Sequence, residues 1–207
     1  YNKEWISEHD AGLWMSLAID IKKKYNPSAL PLVVGSVLAK ELHQLGADKI
    51  GLKWPNDLIY ENQKLGGILV ESIQQKNDLL RVIIGIGLNI SLPTSMQKKL
   101  YPNKNPIGLD SIVNQPISIN MLSANFIKSL YDAVRHFEEK GLSVFLEDWT
   151  KYDLLLGNEI VVESSRQNIQ GTASGISSDG ALLVSNDDGL HHINSGSVKY
   201  HDQGVSA

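Results

Sequence analysis

The 207-residue sequence contains no cysteine. This absence excludes disulfides, thiolate metal sites and cysteine nucleophiles. Neither sign of charge is in large excess, because 19 basic and 23 acidic side chains give a net charge of −4. The chain therefore has no broad cationic surface for nucleic acid or anionic lipid. Residues 30–39 are uncharged and mostly apolar, and they reach about half the length of a membrane helix. We expect no membrane span, and a sequence without cysteine is compatible with the cytoplasm, where we expect the protein.

Composition and periodicity indicate a folded α+β domain. Hydrophobic residues make up 42% and charged residues 20% of the chain, close to a soluble globular average. Apolar residues at helical spacing predict helices over 31–45 and 120–140, each followed by a glycine, and a shorter helix over 143–152. Runs rich in β-branched residues, bounded by turn formers, predict strands at 50–54, 58–60, 67–74 and 80–90.

The pattern changes after Gly157. Short apolar segments at 159–164, 171–176 and 181–185 are separated by the turn signals Ser178-Asp179-Gly180 and Asp187-Asp188-Gly189. This spacing is typical of a small β-barrel of about 50 residues. We therefore predict two domains, 1–153 and 154–207.

Three polar and glycine-rich motifs follow or join the apolar strands of the first domain. Lys53-Trp54-Pro55-Asn56-Asp57 places polar side chains at a strand end, where ligand-facing groups often lie. Lys64-Leu65-Gly66-Gly67 combines an ammonium group with backbone that a ligand can approach closely. Gly85-Ile86-Gly87-Leu88-Asn89 begins like a dinucleotide-binding fingerprint but lacks its third glycine and its helix. Close packing against a ligand or a neighbouring strand is the better interpretation of this motif.

Each motif taken singly also has a plain structural interpretation. Asn56 and Asp57 fit an ordinary turn, Lys64 fits a solvated hairpin lysine, and Asn89 fits a residue that ends a strand. Trp14 fits either a ligand pocket or the core.

Together and in this order, the three motifs resemble those of the biotin protein ligases. The resemblance extends from Trp5 to the segment 196–198. It implies a two-step reaction: the biotin carboxylate attacks the α-phosphate of ATP to give biotinyl-5′-AMP, and a lysine of an acceptor protein then takes the biotinyl group. The implied fold is α+β, with a mixed or antiparallel central sheet and packed helices as in class II synthetases, followed by a small SH3-like β-barrel.

The resemblance also assigns roles to residues. Lys64 matches the catalytic lysine and borders biotin as well. The ATP or adenylate site is implied to include Lys53, Asn56, Asp57 and Asn89. The biotin pocket is implied to include Gly67, Leu69, Gly85, Ile86 and Gly87. Asp57 is the candidate to help bind Mg²⁺, which prefers few carboxylates together with substrate phosphates.

The implied partner is the biotin carboxyl carrier protein of a biotin-dependent carboxylase. A homodimer is compatible with the resemblance, and the 207 residues contain no helix-turn-helix segment for binding DNA. Two alternatives stay open: a catalytically incomplete module that binds biotin or the carrier protein, and a lipoate ligase on the same fold.

The family also has a Gly/Arg-rich loop just before the tryptophan matched by Trp5 and a Ser-Thr-Asn element further upstream. Neither occurs in the sequence, which begins Tyr1-Asn2-Lys3-Glu4. Arginines of such a loop would bind phosphate and shield the mixed anhydride from water. We therefore expect a protein that begins at Tyr1 to fold but to transfer little biotin.

Overall fold

The structure, a computed structural model, describes residues 11–22, 26–92, 106–164 and 168–201. The segment around Trp5 that belongs to the family resemblance lies outside these residues. The helices are α1 (Leu30–Gln44), α2 (Ile119–Lys140) and α3 (Leu146–Tyr152), with 3₁₀ turns at Pro27–Ala29, Leu109–Ser111 and Leu142–Phe145. The strands are β1 (Gly12–Lys22), β2 (Ile50–Lys53), β3 (Asp57–Tyr60), β4 (Gln63–Gln74), β5 (Leu79–Asn89), β6 (Glu159–Glu163), β7 (Asn168–Ile176), β8 (Leu182–Asn186), β9 (Gly189–Ile193) and β10 (Ser197–Tyr200).

These strands form two five-stranded sheets. The first has the order β1-β5-β4-β3-β2 and the second the order β10-β6-β7-β8-β9. Every neighbouring pair in both sheets is antiparallel. The predicted α+β class is therefore confirmed, with an antiparallel central sheet and a second, smaller antiparallel sheet.

Helix α1 covers one face of the first sheet because its apolar residues recur every four positions. Val34, Leu38 and Leu42 are fully buried, as the spacing predicts. Gly35 allows close packing, since a Cβ atom there would lie 3.2 Å from Leu52 Cδ2. The helix is followed by Gly46 at φ +101°, a conformation that favours glycine.

Helix α2 packs beside α1 on the same side of the sheet. The Ser118 side chain accepts a hydrogen bond from Met121 N at the start of the helix, which satisfies one of the unpaired amide groups there. Phe126, Leu130 and Phe137 form the buried stripe of the helix. The predicted third helix is shorter than expected, because residues 142–145 form a 3₁₀ turn before α3 begins at Leu146.

Alternation along the strands gives the first sheet two different faces. On β5, Val82, Ile84 and Leu88 are fully buried beneath the helices. Gly85 and Gly87 lie on the opposite side of the sheet, because they alternate along β5 with Ile84, Ile86 and Leu88. We call this second side the open face. Register pairing places eight residues on it: Trp14 and Ser16 of β1, Gly85 and Gly87 of β5, Gly67 and Leu69 of β4, Asp57 of β3 and Lys53 of β2.

The β3–β4 hairpin differs from the sequence prediction. Strand β4 begins at Gln63 rather than near residue 67. The hairpin turn consists of Glu61 and Asn62, both at positive φ (+45° and +68°), which is the conformation of a two-residue type I′ turn. Lys64 therefore lies within a strand, not in the turn before it, because the turn is tighter than the sequence indicated.

Candidate active site

A cavity of about 780 Å³ lies over the open face. The second sheet contributes to its wall through the segment at the start of β10. The lining residues are Trp14, Met15, Ser16, Lys53, Trp54, Pro55, Asn56, Asp57, Lys64, Gly67, Ile68, Leu69, Gly85, Ile86, Gly87, Gly196, Ser197 and Val198. Nine of the ten predicted site residues are among them, and Asn89 is not. The cavity thus brings together all three sequence motifs.

Lys64 is held in place through its backbone. Its carbonyl oxygen accepts hydrogen bonds from Ile107 N at 3.0 Å and from Asn89 Nδ2 at 3.2 Å. Its ammonium group contacts Asp57 Oδ1 at 2.5 Å. The side chains of Lys64 and Asp57 are about one third exposed, 35% and 31%, so solvent screens this pair and its contribution to stability is about 0–1 kcal/mol. The lysine is positioned by the strand, and it lines the cavity together with Asp57.

Asp57 lies between two lysines on the open face. Its register partner on β2 is Lys53, and directly opposed residues of an antiparallel pair have Cβ atoms about 5 Å apart. Among the described lining residues, these two lysines and one aspartate are the only charged groups. The cavity therefore has a positive balance, which favours a polyanionic ligand.

Asn56 has a structural role as well as a place in the lining. Its Nδ2 donates to Ile68 O at 2.7 Å, and Ile68 N donates to Asn56 O at 2.9 Å. The turn after β2 is thereby fixed to β4. The amide nitrogen of Asn56 therefore has a structural role in the turn, as the plain interpretation of this motif expects.

Glycines form the floor of the cavity. Gly67 and Gly87 are register partners, and Gly85 pairs with Leu69 and Ser16 on its two sides. A Cβ atom at Gly85 would meet only Leu69, at 3.6 Å or more, so it would project into the cavity without a clash. A flat ligand can therefore lie directly against the sheet at this position.

Apolar side chains border this floor. Leu69 is 61% exposed and Trp14 is 41% exposed. Both belong to the open face, where a ligand would cover them. The sequence left Trp14 open between pocket and core, and the structure places it in the cavity wall.

Two predicted residues reach the site only indirectly. The side chain of Ile86 is buried at 3% exposure within the hydrophobic core, because the register places it on the helix-covered face opposite Met15 and Ile68. Only its backbone borders the open face. Asn89 is 6% exposed, is absent from the described lining and contacts the site through the Lys64 carbonyl.

The second sheet contacts the site at several points that the sequence did not indicate. Trp54 Nε1 donates to Gly180 O at 3.2 Å, which ties the first motif to the β7–β8 turn. The Lys53 ammonium group lies 5.5 Å from the centre of the Tyr200 ring, and Gly196, Ser197 and Val198 line the cavity. No local pattern could reveal these residues, because they join the site only through tertiary packing.

In the parts of the chain that the structure describes, no group of three or more His, Asp or Glu side chains is placed to hold a metal ion. Within the same ranges, no helix is long and apolar enough to cross a membrane. Asp57 is the one carboxylate among the described residues that line the cavity.

Two parts of the sequence match known protein families. Residues 3–89 match the Biotin/lipoate A/B protein ligase family, and residues 155–199 match the Biotin protein ligase C terminal domain. The bifunctional ligase/repressor BirA of Salmonella typhimurium is 35% identical over 188 residues, 89% of this chain and 57% of BirA. BirA of Bacillus subtilis is 24% identical over 203 residues, 96% of this chain and 61% of BirA. The chain thus spans less than two thirds of the length of these curated relatives.

The structural comparison gives the same result. The biotin protein ligase from Aquifex aeolicus in complex with biotin and ATP superposes with a TM-score of 0.80 at 25% identity, over 96% of this chain and 82% of that chain. The fold and the two family matches together define the class as ligases of the biotin/lipoate type. Within that class, this chain belongs to the biotin protein ligase family.

Proposed function

We propose that the protein is a biotin protein ligase. It activates biotin with ATP and transfers the biotinyl group to a lysine of a biotin carboxyl carrier protein. One observation carries this proposal: Lys53 and Lys64 line one cavity together with a glycine floor and apolar walls. Such a cavity accommodates a polyanion beside a flat, largely apolar ring system.

In the first step, a carboxylate oxygen of biotin attacks the α-phosphorus of ATP, and the bond to pyrophosphate breaks. Negative charge increases on the α-phosphate oxygens in the transition state, and a preorganised cation stabilises it. Lys64 supplies this charge, because β4, Asn89 and Ile107 fix its backbone. Lys53 supplies a second positive charge for the nucleotide.

Biotin lies on the floor formed by Gly67, Gly85 and Gly87 in this proposal. Leu69 and Trp14 cover its apolar surface. Ile86 contributes through its backbone only. Asn89 acts as a positioning residue for Lys64, since its amide group supports the Lys64 carbonyl.

Mg²⁺ fits the site as a companion of the nucleotide. Asp57 offers one carboxylate in the cavity, and magnesium is commonly bound by one or two carboxylates together with substrate phosphates. When bound, the ion would neutralise charge on the phosphates. Asp57 would hold it while remaining paired with Lys64.

In the second step, the uncharged ε-amine of the acceptor lysine attacks the carbonyl carbon of biotinyl-5′-AMP, and AMP leaves. The second sheet, which we propose closes into an SH3-like barrel over residues 154–207, lines the cavity at Gly196–Val198 and would lie beside the incoming carrier. We propose that this reaction takes place in the cytoplasm, where ATP is available.

The match to the Biotin protein ligase C terminal domain supports biotin over lipoate as the acyl group. A test incubates the full-length protein with ATP, Mg²⁺, a biotin carboxyl carrier domain and either biotin or lipoate. We expect a mass increase on one lysine of the carrier with biotin only. Labelling with lipoate would assign the alternative ligase, and no labelling together with intact biotin binding would assign the non-catalytic module.

A further inference from the structure

The contact between the two sheets at Lys53 has a distinct geometry. The Lys53 ammonium group lies 5.5 Å from the centre of the Tyr200 ring, within the distance at which a cation is attracted by the face of an aromatic ring. Lys53 ends β2 of the first sheet, and Tyr200 ends β10 of the second. Strand β10 begins with residues that line the cavity. One strand therefore borders the cavity at its start and contacts a cavity lysine at its end.

Hydrogen bonds close this contact into a ring of interactions. The Tyr200 hydroxyl donates to Leu154 O at 3.1 Å, and Leu154 N donates to Leu52 O at 3.0 Å. Leu52 precedes Lys53 in the chain. The tyrosine is thus fixed to the strand that carries the lysine, and both ends of the contact are held.

Packing makes the link at Leu154 rigid. A Cβ atom at Gly51 would lie 2.4 Å from Leu154 Cγ, so the Leu154 side chain sits directly on the backbone of β2. Burial raises the pKa of the Tyr200 phenol, and the nearby Asp153 carboxylate adds to this effect. The phenol therefore remains protonated at neutral pH and keeps its hydrogen bond to Leu154.

We propose that Tyr200 is a positioning residue, through which the second sheet holds the Lys53 ammonium group in place for the nucleotide. Lys53 is a long side chain with a large loss of rotamer entropy on ordering. Restricting it before ATP arrives lowers the cost of binding. This inference rests on the proposed function, since it assigns Tyr200 a part in nucleotide binding at the same cavity.

The experiment measures biotin-dependent exchange of pyrophosphate into ATP as a function of ATP and of biotin. We expect Tyr200→Leu to raise KM for ATP about threefold to fivefold, the size of a partly exposed cation–π contact, and to leave KM for biotin unchanged. Tyr200→Phe keeps the ring but loses the hydrogen bond to Leu154 O, so its KM for ATP should lie between those of the unaltered protein and Tyr200→Leu. Tyr131→Leu is the matched control, because Tyr131 of α2 lies beneath the Arg135 guanidinium group at 5.2 Å and is absent from the described lining of the cavity.

The decisive comparison uses the double variant with Lys53→Met. If Tyr200 acts through Lys53, Tyr200→Leu adds nothing to the KM for ATP of Lys53→Met. An additive effect would show that Tyr200 acts elsewhere and would overturn the inference. Phenylalanines of increasing fluorination at position 200 keep the shape of the ring while weakening its attraction for a cation. They should raise KM for ATP stepwise, and an unchanged KM across this series would also overturn the inference.

Failure of the proposed function gives a different result. In that case the unaltered protein itself shows no biotin-dependent exchange. If the unaltered protein and Tyr200→Leu show the same biotin-dependent exchange, with the same KM for ATP, the ligase assignment stands. Only the positioning role of Tyr200 is then overturned.

Discussion

Two neighbouring glycine positions allow the open face to be tested separately from the core. Gly85 lies on the open face, and Gly66 is the register partner of Leu88 on the helix-covered face. A Cβ atom at Gly85 would meet Leu69 at 3.6–3.7 Å, which is ordinary contact. A Cβ atom at Gly66 would lie 2.6 Å from the carbonyl oxygen of Gly87, and that backbone cannot move away without disturbing the sheet.

The two alanine variants should therefore show opposite effects. Gly85→Ala reduces the conformational freedom of the unfolded chain, which stabilises the fold by about 0.4–1 kcal/mol. The same methyl group occupies space over the floor and weakens biotin binding by about 1–2 kcal/mol, a rise in Kd of roughly fivefold to thirtyfold. Gly66→Ala should lower the free energy of unfolding by about 1–3 kcal/mol, or about 2–12 °C in Tm for a chain of this size.

The assay combines isothermal titration calorimetry with biotin and thermal unfolding of the same preparations. Each variant serves as the control for the other, because both add one methyl group to the same strand region. Unchanged biotin affinity in a folded Gly85→Ala variant would refute the placement of the ligand on the glycine floor. An unchanged Tm for Gly66→Ala would refute the close approach of β4 and β5 at Gly87.

Three further variants test single interactions. Lys64→Ala should reduce biotinyl-5′-AMP formation about a hundredfold. Its Tm should stay within a few degrees of that of the unaltered protein, since the ion pair of Lys64 with Asp57 is partly exposed. Near-normal adenylation would show that Lys64 is an ordinary surface lysine. Trp54→Phe removes the hydrogen bond to Gly180 O and should cost about 1–2 kcal/mol of unfolding free energy, so an unaltered denaturation midpoint would contradict a stabilising contact between the sheets. Burial raises the pKa of Asp153, so ionisation costs the folded state more than the unfolded state, and stability falls as pH rises through that raised pKa. Asp153→Asn should have a higher Tm than the unaltered protein at pH 7 and an equal Tm below about pH 4; a Tm difference that does not change with pH would contradict this assignment.

Local sequence patterns predicted much of the first domain. The helical spacing of Val34, Leu38 and Leu42 gave the buried face of α1, because one apolar stripe is enough to define an amphipathic helix. The strands of the motif region were also predicted, but the start of β4 was not. The type I′ turn at Glu61 and Asn62 has no Asn-Gly or Asp-Gly signal, so the sequence predicts a longer connecting loop and a later start of β4 than the structure has.

The predicted site residues differ in which face of the sheet they occupy. Leu69 and Gly85 lie on the open face, whereas Ile86 lies between two such positions and points into the core. Because side chains alternate between the two faces of a strand, Ile86 lies on the face opposite to that of Gly85 and Gly87. The contribution of the second sheet, including Tyr200, could not be predicted, because it depends on packing between segments more than a hundred residues apart.

In the proposed reaction, ATP and biotin must meet in the cavity over the open face. Exchange of labelled pyrophosphate into ATP measures the adenylation step without any acceptor protein. We predict that the full-length protein incorporates label only when biotin is present, and that Lys64→Ala incorporates about a hundredfold less. A folded protein that binds biotin yet gives no biotin-dependent exchange, or a Lys64→Ala variant that exchanges at the unaltered rate, would contradict the account.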